Sequence, residues 1–426
     1  MGTLLLLFGV IALVLINVPI AVALGIAAVV AMVVSHGAGT LPNLAVDMYN
    51  GANNFPLIAI PLFILAGAIM NTSGISRRLI AFASALLGFI RGGLAMVNIG
   101  TAMFFAEISG SAVADVAAIG SVLMPAMKKR GYPGPFTAAV TSSSASLAII
   151  IPPSIPMILY AVMAESSVVQ LFVAGIIPGI IGGLLMMGVS YWYAVRYNWP
   201  IEEAFNLRNL WRTFKEAALA FLLPVIILGG IFGGIVTATE GAGLAVVAAV
   251  GVAGSYREMD WKQLRTAIVD GVVQTAVVML LVAASALLGV YLTEAKVPQQ
   301  LAASIASLTS NPIAVLALLN IFFLVVGLFL HSAAAIILVV PIVMPLVNSV
   351  GIDPVHFGLV VTLNLAIGQQ TPPVASVLMT ACSIAKENIW DVTRANIPFI
   401  GVLLAVLLLV TYVPAIPLFL VKVFYG

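Results

Sequence analysis

Four short stretches set oxygen-bearing side chains into sequence that is otherwise almost pure hydrocarbon: ISGSAVAD (108–115), TSSSASLAIIIPPS (141–154), LHSA (330–333) and NLAIGQQTPPVAS (364–376). Serine, threonine and glutamine offer neutral oxygens, and the prolines remove helical hydrogen bonds and so free backbone carbonyls. A cage of neutral oxygens suits a hard cation of low charge, Na⁺ above all. Half-helices that begin at the same points turn partial positive charge towards a carboxylate. Two cation sites follow. The first draws on Ser109, Gly110, Ser111, Ser142, Ser143, Ser144 and Ser146, the second on Gly327, Ser332, Ala333, Gly368 and Thr371. Glu107 and Asp115 are ionisable at membrane depth and either serve such a site or cap a half-helix. His331 either meets a carboxylate or is a hydrogen-bonded structural histidine.

The surrounding sequence fixes where this chemistry happens. With 62% hydrophobic and 8% charged residues and a mean hydropathy of +1.20, the chain carries more apolar surface than a soluble protein could hide. It reads as a polytopic membrane protein. A net charge of +2 and the lack of a basic run interleaved with aromatics argue against a nucleic-acid partner. A single cysteine, Cys382, excludes intrachain disulfides and multi-cysteine metal sites, and the three histidines are scattered, so no cofactor beyond a coupling ion is expected. Cys382 reads as a small buried hydrophobe. The apolar start from Leu4 to Val34 is too long for a signal peptide. It reads as retained membrane helix, either one tilted span of about 46 Å or two pieces broken at Asn17-Val18-Pro19.

The polar stretches come in copies. Adding 220 places Met124-Pro125 on Met344-Pro345, Gly131 on Gly351, Pro152-Pro153 on Pro372-Pro373 and Ile177-Pro178 on Ile397-Pro398, without a gap. The basic end changes place between the copies. Lys128-Lys129-Arg130 falls on Asn348-Ser349-Val350, whereas Ser166 and Ala174 fall on Lys386 and Arg394. Because Lys and Arg favour the cytoplasmic side, the copies are inverted across the membrane, with Lys128-Lys129-Arg130 inside and Asp353 outside. Inverted repeats with broken helices at mid-membrane are the architecture of secondary transporters. The expected fold is therefore all-α and polytopic, with re-entrant hairpins at about 92–127 and 311–346 and broken helices at about 135–164 and 356–384. Residues 1–76 would supply N-terminal membrane helices, as scaffold and the start of the first repeat. Residues 77–169 would complete that repeat, 170–265 would connect the two, and 266–426 would form the second repeat. Within the connection, NWPIEEAFNLRNLWRTFK (198–215) mixes aromatics with charge and reads as a cytoplasmic amphipathic segment near 196–215, lying in the interface or gripping a partner subunit.

At these residues the chain resembles the large membrane subunit of tripartite ATP-independent periplasmic (TRAP) transporters. SGSAVAD, MPAMKKRGY, IPPSIPMILY, LFVAGIIPG and GQQTPP look like that family's signatures and occur in order over nearly the whole chain. The resemblance implies a bacterial inner-membrane carrier rather than an enzyme, with Na⁺-driven uptake of an organic acid by an elevator-type motion. It also implies two partners: a periplasmic substrate-binding protein and a small four-helix membrane subunit, here a separate chain because the sequence starts directly with the large subunit. The organic acid is expected at Asp115, Pro152, His331, Gln369 and Gln370. His331, where many relatives carry Asp, and the pair Gln369-Gln370 look closer to members that carry sialic acid, with C4-dicarboxylates and other sugar acids also open. Two competing functions use the same residues. Glu107, Asp115 and His331 would be a relay in a proton-coupled organic-anion exchanger. Ser111 and His331, on equivalent repeat positions, would be nucleophile and base of an intramembrane serine hydrolase, although no third orienting group is evident.

Overall fold

The computed structural model describes residues 18–256, 260–309 and 311–426 together with Gly9, Val10, Ala12, Leu13 and Ile16; the side chains at 38, 107–109, 301–302 and 305–308 fall outside the described part. Most of the 4–19 stretch, with Asn17 of the expected break, also lies outside it. No strand occurs among the described residues, and eight of their helices are long and apolar enough to cross a membrane.

In chain order the first half holds α1 (Ile20–His36), α2 (Leu41–Ala52), α3 (Ala59–Thr72), α4 (Ile75–Leu87), α5 (Gly93–Ser109), α6 (Ala112–Lys129), α7 (Gly134–Ala145), α8 (Ile155–Met163) and α9 (Val168–Arg196). After α10 (Leu207–Phe232) come α11 (Ala238–Tyr256), α12 (Trp261–Glu294), α13 (Val297–Leu308), α14 (Pro312–Phe329), α15 (Ser332–Ser349), α16 (Pro354–Gly368), α17 (Ser376–Ala385), α18 (Ile389–Tyr412) and α19 (Ala415–Tyr425). Shifted by 220, α6 covers α15 from end to end, α2 starts where α12 starts, and α1 ends where α11 ends. The helix bounds therefore repeat well upstream of the paired prolines, where leucine and valine matches alone carry little information.

Local chemistry explains the two hairpins. In the first, α5 stops because Gly110 turns left-handed at φ 57°, and Ser111 is already extended at φ −134° when α6 begins. The second hairpin turns without a glycine. Leu330 is extended at φ −113°, and His331 caps α15 by accepting a 3.4 Å hydrogen bond from the Ala333 amide on Nδ1. The two breaks also differ. The α7 chain tightens into a 3₁₀ turn over Ser146–Ile149, and Ser154 donates to the Ile149 carbonyl at 2.7 Å before capping α8. Beyond α16 the chain lies along the second hairpin, where the Val374 amide donates to the Leu328 carbonyl at 3.3 Å. A helix pair interrupted midway crosses the membrane with its break near the middle, so a hairpin tip seated at a break also sits near mid-membrane.

Packing divides the helices into a central block and a frame. Each hairpin leans on the other repeat, α6 against α17 and α15 against α8. At the base of the first hairpin Lys128 Nζ reaches Glu387 Oε1 and the Ala385 carbonyl, both at 2.5 Å. The frame forms where α12 packs along α1, α2 and α3, and α11 along α3 and α10. The chain that passes from α9 to α10 is fastened to the chain that enters α5: the Gly92 amide donates to the Pro200 carbonyl at 3.2 Å and the Glu202 amide to the Gly88 carbonyl at 2.9 Å. Trp199 is buried there against Tyr132 and Phe136, whereas Phe205, Leu207 and Trp211 are exposed even though Phe205 meets Phe89 edge-on, so the 196–215 segment is tied down at its start and more open along its later aromatic face. Burial holds the Glu202 carboxyl above its ordinary range, although the Arg130 guanidinium 3.2 Å away pulls it down.

Candidate functional site

The polar stretches converge on two connected features, a buried hydrogen-bond network and a cavity. The network starts from the serine run at the end of α7. Ser143 Oγ donates to Asn396 Oδ1 at 2.6 Å, Ser144 Oγ donates to Asn98 Oδ1 at 3.1 Å, and Asn98 Nδ2 donates to Thr141 Oγ1 at 2.7 Å. Gln370, from the second break, crosses between the repeats. Its Nε2 donates to the Ser142 carbonyl at 2.9 Å and to Ser146 Oγ, and its Oε1 accepts from Asn396 Nδ2 at 3.2 Å. All of these side chains are fully buried. Among apolar helices, where no water competes, such bonds hold elements in register. A second cluster joins Asn364 Nδ2 to Asn320 Oδ1 at 2.7 Å and Asn320 Nδ2 to Thr411 Oγ1 at 3.1 Å. Ser144 and Asn364 are 220 apart, so each repeat ties its first hairpin limb to the helix before its break at the same level.

The hydroxyls of Ser142, Ser143, Ser144 and Ser146 all donate within the protein, to Ala139, Asn396, Asn98 and Ser142 respectively. A hydroxyl that donates its proton keeps lone pairs directed away from its acceptor, which is the orientation a cation needs. Close backbone approaches accompany both junctions. A Cβ on Gly110 would lie 2.9 Å from the Pro153 carbonyl oxygen, and a Cβ on Gly368 would lie 2.5 Å from Gly327 Cα. Thr371 is half-buried and donates to the Ile367 carbonyl at 3.0 Å. The donor set, neutral hydroxyls beside carbonyls freed by the breaks, fits a monovalent cation better than a divalent one. No group of three or more His, Cys, Asp or Glu side chains that could hold a metal occurs among the described residues.

The cavity has a volume of about 270 Å³ and lies between block and frame. Both hairpin tips line it, through Gly110–Val113 and His331–Ala333, as does Gln369. Gln369 is buried, accepts from Ser376 Oγ at 3.4 Å, and leaves Nε2 without a hydrogen-bond partner among the described residues. A buried donor without a partner is costly unless a ligand completes it. His331 is exposed to the cavity beyond its capping bond.

Of the residues expected to meet an organic acid, the structure thus brings His331 and Gln369 together. Asp115, Pro152 and Gln370 do not line the cavity: Asp115 is buried in the first turn of α6, Pro152 faces a crevice with Met103 and Ile180, and Gln370 belongs to the network. Of the residues expected at the cations, Ser111, Ser332 and Ala333 line the cavity, Gly110 touches the first break, and Gly327 touches Gly368. The side chains of Ser109 and Glu107 lie outside the described part. Sequence reasoning passed over Asn98, Asn396 and Gln274. Each is an uncharged amide set within a largely apolar helix, and that was the available signal.

Over residues 7–416 the chain matches the family described as "Tripartite ATP-independent periplasmic transporter, DctM component". The chain belongs to the DctM family. It is 42% identical over 417 residues to the isethionate TRAP transporter permease protein DctMQ of Oleidesulfovibrio alaskensis, covering 97% of this chain and 65% of that longer relative. It is 35% identical to the C4-dicarboxylate TRAP transporter large permease protein DctM of Vibrio cholerae, over 98% of this chain and 97% of that one. The 2,3-diketo-L-gulonate TRAP transporter large permease protein YiaN of Escherichia coli is 36% identical, over 87% and 88%. Among solved structures, the Alcanivorax borkumensis YdaH transporter shares the fold with a TM-score of 0.63 at 16% identity, covering 88% of each chain. The family is thus described as a component of a tripartite periplasmic transporter, and these relatives are named as permeases.

Proposed function

We propose that this DctM-family chain carries a small organic anion across the bacterial inner membrane together with Na⁺. The anion is delivered by a periplasmic substrate-binding protein, and a small membrane subunit, separate or fused, packs alongside. The observation that supports this most is the cavity in which both hairpin tips and the second break face one frame wall. Na⁺ lodged at each tip–break junction neutralises part of the charge that an acid brings to mid-membrane, so ions and acid bind best together. The anion rests between His331, Ser332 and the free Nε2 donor of Gln369. At about 270 Å³ the cavity lies near the lower end of the roughly 300–1,000 Å³ usual for ligand sites, a size that suits a small organic acid. The block of α5–α9 and α14–α18 then slides past the frame, carrying the site from one face to the other.

Uptake into proteoliposomes, with both partners present, tests the coupling. An inward Na⁺ gradient should drive accumulation, and a proton gradient of equal size in K⁺ should not. Accumulation driven by the proton gradient alone would replace this reading with a proton-coupled exchanger built on His331 and the buried Asp115.

A further inference from the structure

The two walls of the cavity obey different symmetry. On the block side most of the lining comes in pairs 220 apart, Ser111 with His331, Ala112 with Ser332, Val113 with Ala333 and Ile149 with Gln369, with Gly110, Ile155 and Pro156 unpaired. On the frame side it does not. Ile64, Val273, Gln274, Val277 and Val278 line the cavity, while their counterparts Ala284, Asn53, Asn54, Leu57 and Ile58 do not. Gln274 supplies the only amide on that wall among the described residues, from the middle of the long apolar helix α12.

The same asymmetry appears beside the hairpins. A cleft of about 590 Å³ runs along α6, past Ala114, Ala118 and Val122, and Gln274 lines it too. The equivalent face of α15 (Ile337, Leu338, Pro341 and Ile342) encloses only about 70 Å³. Ala334, counterpart of Ala114, is buried. The open cleft follows the hairpin that ends in Lys128-Lys129, so the site opens to the cytoplasmic side.

A block that is two-fold symmetric in itself can meet an inverted repeat of the frame in two equivalent ways, and the structure shows one. Building on the transport reading above, we propose that Gln274 and Asn54 are the frame's two substrate-contacting amides, Gln274 in the cytoplasm-open state and Asn54 in its outward-open counterpart. Asn54 is exposed and sits at the start of the Phe55–Ile58 turn, held where the Phe55 carbonyl accepts from Thr239 Oγ1 at 3.2 Å. In the second state Asn54 faces Ala334 as Gln274 now faces Ala114. An amide on the frame gives the anion a hydrogen bond in either end state, and that bond must break as the block slides.

The test uses cysteine pairs in a Cys382→Ala background, with the full chain in membranes. Gln274→Cys/Ala114→Cys should cross-link in this state, and Asn54→Cys/Ala334→Cys should cross-link in the other. Each link should stop uptake until it is reduced. Separately, Asn54→Leu should raise the KM for uptake from outside by about tenfold, the worth of a hydrogen bond to an anion. Gln274→Leu should do the same for efflux from inside. If Asn54→Cys/Ala334→Cys links no better than either single cysteine variant while Na⁺-driven uptake proceeds, this inference is wrong and the transport reading survives. If both pairs link and no Na⁺ gradient drives uptake, the two-state frame stands and the coupling fails.

Discussion

Gly368→Ala should lower uptake by about tenfold or more while leaving a folded protein. The new Cβ would lie 2.5 Å from Gly327 Cα and 2.6 Å from its carbonyl oxygen, backbone atoms that cannot rotate away as a side-chain end would. The second hairpin must therefore move off the second break, and inserting a carbon into so close a contact costs about 1–3 kcal/mol. That displacement opens the junction where the second cation is placed, so uptake should fall by on the order of tenfold or more. Gly327→Ala is the graded control. Its Cβ would sit 3.1 Å from Gly368 Cα, which a small shift relieves, and the loss should be several times smaller. Equal, near-normal uptake in both variants would remove the glycine contact from the site.

Gln370→Leu should be the most destabilising single change in the block. The leucine fills similar space but deletes the donations to the Ser142 carbonyl and Ser146 Oγ, and leaves Asn396 Nδ2 without its acceptor. At about 0.6–1.7 kcal/mol for each hydrogen bond between membrane helices, three lost bonds amount to roughly 2–5 kcal/mol. Gln370→Glu should fare no better, because an ionised carboxylate cannot donate to the Ser142 carbonyl. Thermal unfolding in detergent reads the effect directly. A Gln370→Leu protein as stable as the parent would mean that the crossing between the repeats is held by packing alone.

These two residues also mark what was legible in the sequence. Composition gave the membrane setting, the recurrent prolines gave the repeat and the breaks because proline constrains the backbone wherever it stands, and polar tips set between apolar limbs gave the hairpins. Partners across space were not legible. Gln370 reads as a substrate contact when only its neighbour Gln369 and the nearby prolines are in view, but one residue further along the turn points its amide into the other repeat. Asn98, Asn396 and Gln274 are amides within membrane helices, and nothing along the chain says which neighbour each meets. The upstream extent of the repeat was hidden for a different reason. Helices α1 and α11, of 17 and 19 residues, end at the same repeat position but share few distinctive residues, since lipid-facing and small packing residues are interchangeable.

The central claim is that oxygens gathered at the tip–break junctions bind Na⁺, and Na⁺-dependent stabilisation tests it most directly. The purified protein should unfold at a higher temperature in Na⁺ than in K⁺ at equal ionic strength, since a ligand at ten times its Kd adds about 1.4 kcal/mol to the folded state. Thr371→Val removes a hydroxyl oxygen at the second junction, so it should show a smaller Na⁺ increment, and Ser111→Ala/Thr371→Val a smaller one still, whatever their baseline stability. An increment that is absent in the parent protein, or undiminished in the double variant, would contradict the placement of Na⁺ at these junctions.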